Sequence, residues 1–434
     1  MQKIADLHIH SKYSRATSPK MNVEVLGLWA RKKGIDILAT GDFTHPEYLR
    51  ELKEKLVEDG SGLLKMRKIK KSKNRKSKST NKLINQSTKF MLSAEVACIY
   101  KDKDKVRRLH ICLYAPDFET VDGIVAELER RKCNLRSDGR PIIGMSAKEL
   151  AGICFGVNEK VLVVPAHAWT PWFAIFGSKS GYDRMEDCFE ELSPKIYAIE
   201  TGLSSDPAMN WRLSALDDIM LLSNSDAHSP KNLGREANVF DLDEVSYDEI
   251  YNILKNKDRK KFLYTIEFYP EEGMYHFDGH RDCKFSCSPG ESRKKYKDVC
   301  PVCNKLMVLG VDHRVEELAD RAVGFRPGNS VPYRSLVPLQ EIIAECMGRG
   351  KNTKGVENYY EGMVEKGGSE FNILLNLNRG EIEKISNEMV AEAIERVRGG
   401  KVIAVSGFDG EYGVVRVFSE EEIDGYNPKQ NKLF

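Results

Sequence analysis

The chain has 434 residues and a formal net charge of +2, so it is too long for one ordinary core and we expect two or three domains. Its 41% hydrophobic and 30% charged residues are typical of a soluble globular protein, and no apolar run of 18 residues could span a membrane. The N-terminus lacks the apolar stretch and cleavage site of a signal peptide. These features argue against a membrane protein and predict a cytoplasmic, nucleoid-associated one.

The first half of the chain alternates β-like and helix-like segments, which favours an α/β barrel or a wrapped parallel sheet. Strands are predicted at 3–10, 35–43, 89–100, 108–116, 161–169, 195–202 and 219–228, and helices at 22–34 and 121–133. The first helix has apolar residues at helical spacing and a closing Gly34. Residues 60–88 are rich in Lys, Arg, Ser and Asn without apolar periodicity, and they predict a mobile basic loop.

The pattern changes near residue 263, and three regions are expected. Residues 1–262 form the barrel, 263–313 form a cysteine-bearing module, and 314–434 form a mainly helical region with a terminal β-hairpin. The hairpin is predicted from two β-like segments around a Gly-rich turn at 402–418.

Histidines gather at the ends of the predicted strands. Six of the nine lie there, namely His8, His10, His45, His110, His167 and His228, and they are accompanied by Asp42, Glu95 and Asp226. Residues i and i+2 of a strand point to one face, so the pairs at 8 and 10 and at 226 and 228 can each share one ion. Imidazole with carboxylate suits Zn²⁺, Mn²⁺ or Fe²⁺, and a central Glu can bridge two ions. This constellation predicts a multinuclear metal site.

Four cysteines form a second constellation, spaced Cys283-x₃-Cys287-x₁₂-Cys300-x₂-Cys303. Two close pairs around a loop predict one structural zinc held by four thiolates, although a nearby histidine (His276, His280 or His313) could replace one of them. The intervening loop carries Arg293, Lys294 and Lys295, which would suit a phosphate backbone. The six scattered cysteines are expected to be buried reduced thiols.

The motifs DLHIHSKYS, TGDFTHP, SAEV, RLHICLY, PAHAW and SNSDAHSP occur in this order over residues 1–250. They resemble the polymerase-and-histidinol-phosphatase (PHP) phosphoesterases. The resemblance implies a distorted (β/α)₇ barrel holding two or three divalent ions (Zn, Mn or Mg). It assigns His8, His10, Glu95 and Asp226 to one ion and Glu95, His110 and His167 to a second. For the third ion it leaves His228 with Asp42, His45 or both, because the usual Asp-His pair is spread here into Asp42-Phe-Thr-His45.

Further residues near these motifs are candidates for contacting a substrate. Arg15 and Arg235 lie close in sequence to metal motifs, and either could clamp a phosphate. With His8, His10, Glu95 and Asp226 they make up the predicted catalytic set. Trp169, Trp172 and Phe173 follow His167 and could wedge into DNA or line a base pocket, or simply pack the barrel mouth.

A PHP barrel followed by a four-cysteine module resembles the endonuclease Q family of archaeal and bacterial DNA repair enzymes. The likeness includes NLRSDGRPIIGMS, HAWTPWFAIFGSKSG and GKVIAVSGFDGEYG. It implies a metal-dependent endonuclease that nicks 5′ to deaminated bases (uracil, hypoxanthine, xanthine) and abasic sites. Damaged double- or single-stranded DNA is the implied partner, with repair or replication factors beside it. The alternatives are a small-molecule phosphomonoesterase of the PHP type, a non-catalytic nucleic-acid-binding zinc protein, and an exonuclease or polymerase accessory module.

Overall fold

The computed structural model describes residues 1–67 and 88–426, so most of the predicted basic loop, residues 68–87, lies outside the described residues. The strands are β1 Gln2–Asp6, β2 Ile37–Ala39, β3 Leu56–Glu58, β4 Leu64–Met66, β5 Lys89–Asp102, β6 Lys105–Ala115, β7 Ile142–Ile143, β8 Leu162–Pro165, β9 Ala198–Glu200, β10 Met220–Leu222, β11 Ala237–Asp241, β12 Phe262–Glu267, β13 Asp278–His280, β14 Phe285–Cys287, β15 Tyr333–Ser335, β16 Ile403–Val405 and β17 Val414–Arg416. The helices are α1 Val23–Lys33, α2 Pro46–Lys55, α3 Phe118–Arg130, α4 Ala147–Val157, α5 Met185–Phe189, α6 Pro207–Asn210, α7 Tyr247–Lys255, α8 Pro289–Glu291, α9 Val311–Leu318, α10 Leu339–Cys346, α11 Lys354–Gly367, α12 Glu370–Leu375, α13 Arg379–Ile385, α14 Glu388–Arg398 and α15 Glu420–Tyr426.

The predicted α/β class is confirmed, and its strands form a ring. Strands β1, β2 and β5 pair in parallel, and β6 joins β5 and β8 through antiparallel ladders. Strands β9 and β10 pair in parallel, and a hydrogen bond from Ala168 N to Glu200 O links the end of β8 to that of β9. The parallel bridge between Ile9 and Ala227 brings the end of β10 back to the end of β1. The ring is therefore mixed, because β6 runs against its neighbours.

Alternation along the strands divides the ring interior into two zones. On β5, Met91, Ser93 and Glu95 share one face because side chains i and i+2 point the same way. Met91 belongs to an apolar cluster inside the ring, together with Cys112 and Tyr114 of β6. Glu95 comes four residues later, is 2% exposed, and lies among histidines. The ring therefore has an apolar floor and a polar upper end.

Helix α1 forms where the sequence predicted it, and its caps explain why. The side chain of Asn22 accepts a hydrogen bond from Val25 N at the start of the helix. Gly34 ends it with φ 88°, a left-handed conformation that glycine adopts without strain. A Cβ atom at Gly34 would lie 2.5 Å from Ser369 Oγ, so this glycine also permits close packing of the C-terminal region.

The C-terminal region is mainly helical, as predicted, and it is attached to the barrel. Strand β15 extends the barrel sheet by pairing in parallel with β12. Lys33 Nζ lies 2.8 Å from Glu370 Oε2 in a buried ion pair that joins α1 to α12. The predicted terminal hairpin is present as β16 and β17, and Phe408 in its turn bridges to Phe277 beside the cysteine module. No helix within the described ranges is both long and apolar enough to cross a membrane.

Candidate metal centre and the surrounding surface

The polar upper end of the ring gathers the strand-end residues that the sequence pointed to. Three overlapping groups each bring their ligand atoms within 4.8 Å of one another. They are His8–His10–Glu95, Glu95–His110–His167 and His10–Asp226–His228. The structure thus brings together all six residues that the resemblance assigned to the first two ions, together with His228.

The first group is arranged around nitrogens that lack hydrogen bonds. His10 Nε2 lies 3.1 Å from Asp226 Oδ1 and 3.2 Å from Glu95 Oε2, and His8 Nε2 lies 3.7 Å from the same Glu95 oxygen. Both nitrogens and Asp226 Oδ1 are buried and make no hydrogen bond to any described residue. Buried polar atoms without partners are costly unless something else binds them. This donor set, imidazole nitrogen with carboxylate oxygen, fits a divalent transition metal.

The second group shares Glu95 with the first. Glu95 Oε1 lies 2.8 Å from His110 Nδ1 and 3.2 Å from His167 Nε2, while its Oε2 faces His8 and His10. One carboxylate therefore presents one oxygen to each pair of histidines. That is the geometry expected of a residue that bridges two ions.

Two carboxylates behind the first group orient its histidines. Glu200 Oε2 lies 2.9 Å from His8 Nδ1, and Asp42 Oδ1 lies 3.2 Å from His10 Nδ1. Each contact favours a proton on Nδ1 and leaves the Nε2 lone pair pointing into the centre, as is common for metal-binding histidines. The sequence analysis missed Glu200, although it ends a predicted strand beside the other site residues.

Asp42, a candidate ligand of the third ion, lies behind His10. Its Oδ2 accepts hydrogen bonds of 2.6 Å from both the backbone N–H and the hydroxyl of Ser11, and a third of 2.9 Å from Ser14. Both carboxylate oxygens are thus occupied by protein groups. His45 stacks on Tyr13 at 4.4 Å, and its buried Nδ1 has no hydrogen-bond partner in the described ranges.

Three of the strand-end residues have left-handed backbones although none is glycine. The φ angles are 47° at Asp42, 28° at His167 and 45° at Asp226. Such conformations cost about 1–3 kcal/mol each and persist only where the surrounding structure enforces them. At Asp226, Arg235 contributes by donating to Ser225 O at 2.8 Å and to Asp226 O at 3.4 Å. Arg235, a predicted phosphate clamp, thus binds the turn that carries Asp226.

The centre carries a negative potential that its own histidines partly compensate. Burial alone would raise the pKa of Glu95, but His110, Arg140 and His10 hold it well below its usual range. Burial would lower the pKa of His10, but the carboxylates of Asp226, Asp42 and Glu95 outweigh it and raise it well above normal. In His110 burial dominates and lowers the pKa to about 4. A bound cation requires neutral imidazoles, so binding of an ion would displace the proton that His10 holds among these carboxylates.

Arg140 is a further residue of the centre that the sequence analysis did not single out. Its Nη1 donates to Glu95 Oε2 at 3.0 Å, and within the described residues the rest of its guanidinium makes no hydrogen bond. The preceding Gly139 lets the loop approach, since a Cβ there would lie 2.3 Å from Asp42 Oδ2. Arg15, by contrast, is 78% exposed and pairs with Asp138 on the same loop. The structure therefore puts Arg140, not Arg15, in contact with the metal centre.

The three aromatic residues after His167 have different surroundings. Trp169 is 1% exposed, and its indole donates to Asn210 Oδ1 at 2.8 Å in the core, so the predicted DNA contact is not supported for it. Phe173 is half-buried with its ring 4.5 Å from that of His110. Trp172 is half-buried with its edge against Tyr275. Only Phe173 and Trp172 lie where a ligand of the centre could reach them.

The cysteine module groups three of the four predicted thiolates with a histidine. His280, Cys283, Cys300 and Cys303 bring their ligand atoms within 4.8 Å of one another. Cys287 pairs with Asp278 across the β13–β14 hairpin, at the opposite end of the ladder from His280. The group within this distance therefore holds three of the predicted thiolates and His280, one of the histidines expected as a possible substitute, while Cys287 packs in the same small core as Cys300.

The basic tip of this module is only partly free. Arg293 donates from Nε to His313 Nε2 at 3.1 Å and from Nη2 to the carbonyl oxygen of the same residue at 3.0 Å, so its guanidinium packs against α9. Lys294 and Lys295 are exposed. Lys294 and Lys295 are therefore exposed for the predicted phosphate contact, whereas Arg293 is bound to His313.

Comparisons with known proteins agree with this architecture over the whole chain. A crystal structure of the lesion-specific endonuclease PfuEndoQ from Pyrococcus furiosus is 30% identical, covers 100% of both chains and superposes with a TM-score of 0.83. A crystal structure of endonuclease Q in complex with a 27-mer duplex substrate bearing an abasic lesion at the active site is 31% identical, covers 98% of both chains and gives the same TM-score.

Two curated relatives and one family model also match. The protein MJ0043 of Methanocaldococcus jannaschii is 35% identical over 269 residues, which cover 60% of this chain but only 32% of that protein's length. YqxK of Bacillus subtilis is 26% identical over 437 residues, covering 96% of this chain and 100% of YqxK. Residues 338–401 match the MJ0043 C-terminal domain family.

The fold and the site define an α/β protein built like a lesion-specific endonuclease, with buried His/Glu clusters suited to metal ions. Its full-length likeness to two endonuclease Q structures, at 30% and 31% identity, goes further. The chain belongs to the endonuclease Q family.

Proposed function

We propose that the chain is a metal-dependent DNA repair endonuclease. It nicks the phosphodiester on the 5′ side of deaminated bases (uracil, hypoxanthine and xanthine) and of abasic sites. The observation that carries this proposal is the convergence of His8, His10, Glu95 and Asp226 in a chain that matches endonuclease Q from end to end.

The residues available to hold metal fall into three sets. His8, His10, Glu95 and Asp226 would hold one ion, and Glu95, His110 and His167 a second. His228 would hold a third with Asp42, His45 or both, and the ligand atoms of His10 and Asp226 also lie within 4.8 Å of His228. When bound, divalent ions at such a site lower the pKa of a water molecule and neutralise charge on phosphoryl oxygens.

The protein residues then have distinct tasks. Glu200 and Asp42 fix the rings of His8 and His10 so that Nε2 faces the centre. Arg140 offers its unused N–H groups to a phosphoryl oxygen, where charge develops during attack at phosphorus. The apolar floor of the ring closes the centre from below and keeps bulk water from that side.

DNA contacts would come from two sides of the centre. Phe173 and Trp172 would meet the damaged nucleotide or its neighbour, because chemistry beside a base requires that base to leave the stack. Lys294 and Lys295 on the cysteine module would contact the backbone of damaged double- or single-stranded DNA.

A panel of labelled duplexes tests this function. We expect nicking of duplexes with one uracil, hypoxanthine, xanthine or abasic site, and an undamaged duplex of the same sequence should stay intact. Phosphomonoesters such as sugar phosphates should not be hydrolysed. Equal cleavage of damaged and undamaged duplexes, or a preference for the phosphomonoesters, would contradict the proposal.

A substitution at Arg140 tests the proposed phosphate contact. Arg140→Ala should lower the single-turnover nicking rate by about 10²- to 10³-fold, the usual effect of removing one donor aimed at developing charge. Arg140→Lys should recover part of the rate, because lysine keeps the charge but loses the planar fork. The exposed Arg50→Ala variant on α2 serves as control, and both proteins should retain the same metal content by elemental analysis. An Arg140→Ala variant with normal rate and normal metal content would rule the contact out.

A further inference from the structure

A second feature of the surface lies beside the metal centre. A cleft of about 670 Å³ opens between the end of the β5–β6 hairpin, the loop at 172–181 and the start of α9. Five cationic side chains line it, against two carboxylates. They are Lys105, Arg107, Arg108, Lys179 and Arg314, with Asp183 and Glu317.

Two of these cations build the walls. Arg314 donates to Glu317 at 2.6 Å and also pairs with Asp183, so both carboxylates of the cleft have a cationic partner. Arg107 lies over the ring of Tyr182 at 3.8 Å and binds a carbonyl oxygen of the 172–181 loop. These contacts fix the walls, and the cleft as a whole keeps more cationic side chains than carboxylates.

The other three cations remain available. Lys105, Arg108 and Lys179 are exposed, and none forms an ion pair with a carboxylate of the described residues. A concave surface that carries unpaired positive charge attracts an anionic partner.

Strand β6 and the loop carrying Phe173 connect the cleft to the metal centre. Arg108 precedes His110 by two residues on β6, so both side chains leave the same face of the strand. Phe173 covers the ring of His110 and accepts a backbone hydrogen bond of 2.9 Å from His110 N. The next aromatic residue, Trp172, lines the cleft itself. A strand leaving the centre past Phe173 would enter this cleft.

We propose that the cleft binds the DNA strand that flanks the scissile phosphate. Lys105, Arg108 and Lys179 contact successive phosphates, and Trp172 stacks on a base of the same strand. Cations that follow a backbone beside an aromatic ring are the arrangement used for single strands. This inference rests on the proposed function, because it needs DNA at the metal centre.

The salt dependence of DNA binding tests the cleft. In a variant combining Lys105→Ala, Arg108→Ala and Lys179→Ala, the slope of log affinity against log salt for a lesion duplex should become shallower by about three, one for each lost phosphate contact. The single-turnover nicking rate at saturating DNA should stay within about twofold of the parent, since none of the three touches the centre. Arg108→Lys should keep the slope, and Lys366→Ala on α11 is the control for a lysine elsewhere.

Trp172→Ala provides an independent signature. Stacking involves no counterion release, so binding should weaken by at least about fivefold while the salt slope stays unchanged. If the salt slope of the triple variant is unchanged while the parent protein nicks lesion DNA, the cleft does not bind DNA, and the proposed endonuclease function is unaffected. A parent protein that neither binds nor nicks lesion DNA would contradict both.

Discussion

The Glu95→Gln variant is expected to lose nicking activity by about 10³-fold or more while still binding DNA. Among the described residues, Glu95 is the one carboxylate that faces both histidine pairs, with Oε1 toward His110 and His167 and Oε2 toward His8 and His10. The amide of glutamine would offer one oxygen instead of two and would carry no charge. Binding of metal ions on both sides would therefore weaken, and the charge on the phosphoryl group would be left uncompensated. Single-turnover nicking and elemental analysis of the purified variant measure the two effects.

Glu200→Gln is the matched comparison, because it changes the same residue type one layer further out. Glutamine can still accept from His8 Nδ1, so we expect a loss of about 10- to 100-fold, partly restored by excess metal. Excess metal should not restore Glu95→Gln. A Glu95→Gln protein that nicks at the parental rate would remove this carboxylate from the chemistry.

The second large effect is expected in the cysteine module. Cys300 is fully buried, and burial alone would raise the pKa of its thiol. The backbone N–H groups of Cys303 and Val302 point at the sulfur and outweigh burial, so the pKa is lowered and the thiolate that zinc binds is favoured. Structural zinc contributes about 10–16 kcal/mol in small zinc peptides, so Cys300→Ser should release the zinc and unfold the module. Elemental analysis and hydrogen exchange over residues 276–313 report the two losses.

Two further variants decide the fourth ligand. His280→Ala should lose zinc as Cys300→Ser does, whereas Cys287→Ser should keep it, because Cys287 lies at the far end of the hairpin. The half-buried Cys133→Ser, outside the module, controls for thiol loss. Zinc lost from Cys287→Ser but retained in His280→Ala would restore the four-thiolate set.

The sequence predicted which residues come together at the candidate metal centre, because they lie at strand ends, where chain order and spacing constrain position. His8 and His10 could be paired from their i, i+2 spacing alone. The contact of Arg140 with Glu95 could not be predicted from the sequence, because Arg140 does not lie at a strand end of the ring. It approaches Glu95 through a loop whose path depends on Gly139 packing against Asp42. Glu200 had a detectable signal, a carboxylate at the end of a predicted strand, but its role behind His8 depends on tertiary contact.

Burial distinguishes the two tryptophans that the sequence predicted to contact DNA. Trp169 follows His167 more closely in the chain than Trp172 does, yet its indole binds the buried Asn210, whereas Trp172 lines the cleft. In the cysteine module, the spacing allowed four thiolates or a histidine in place of one of them, and the fold places His280 within 4.8 Å of three of the thiolates. The burial of Trp169 could not be read from spacing.

The proposed function requires that the histidine–carboxylate centre cleave DNA internally beside a lesion and that it need metal to do so. A duplex with one internal uracil, labelled at both ends of the damaged strand, tests it directly with Mg²⁺ or Mn²⁺ present. The predicted result is a single nick on the 5′ side of the uracil, which disappears after metal chelation and returns when metal is restored. A ladder of end-wise degradation products, or a nick that persists in chelated protein, would contradict it.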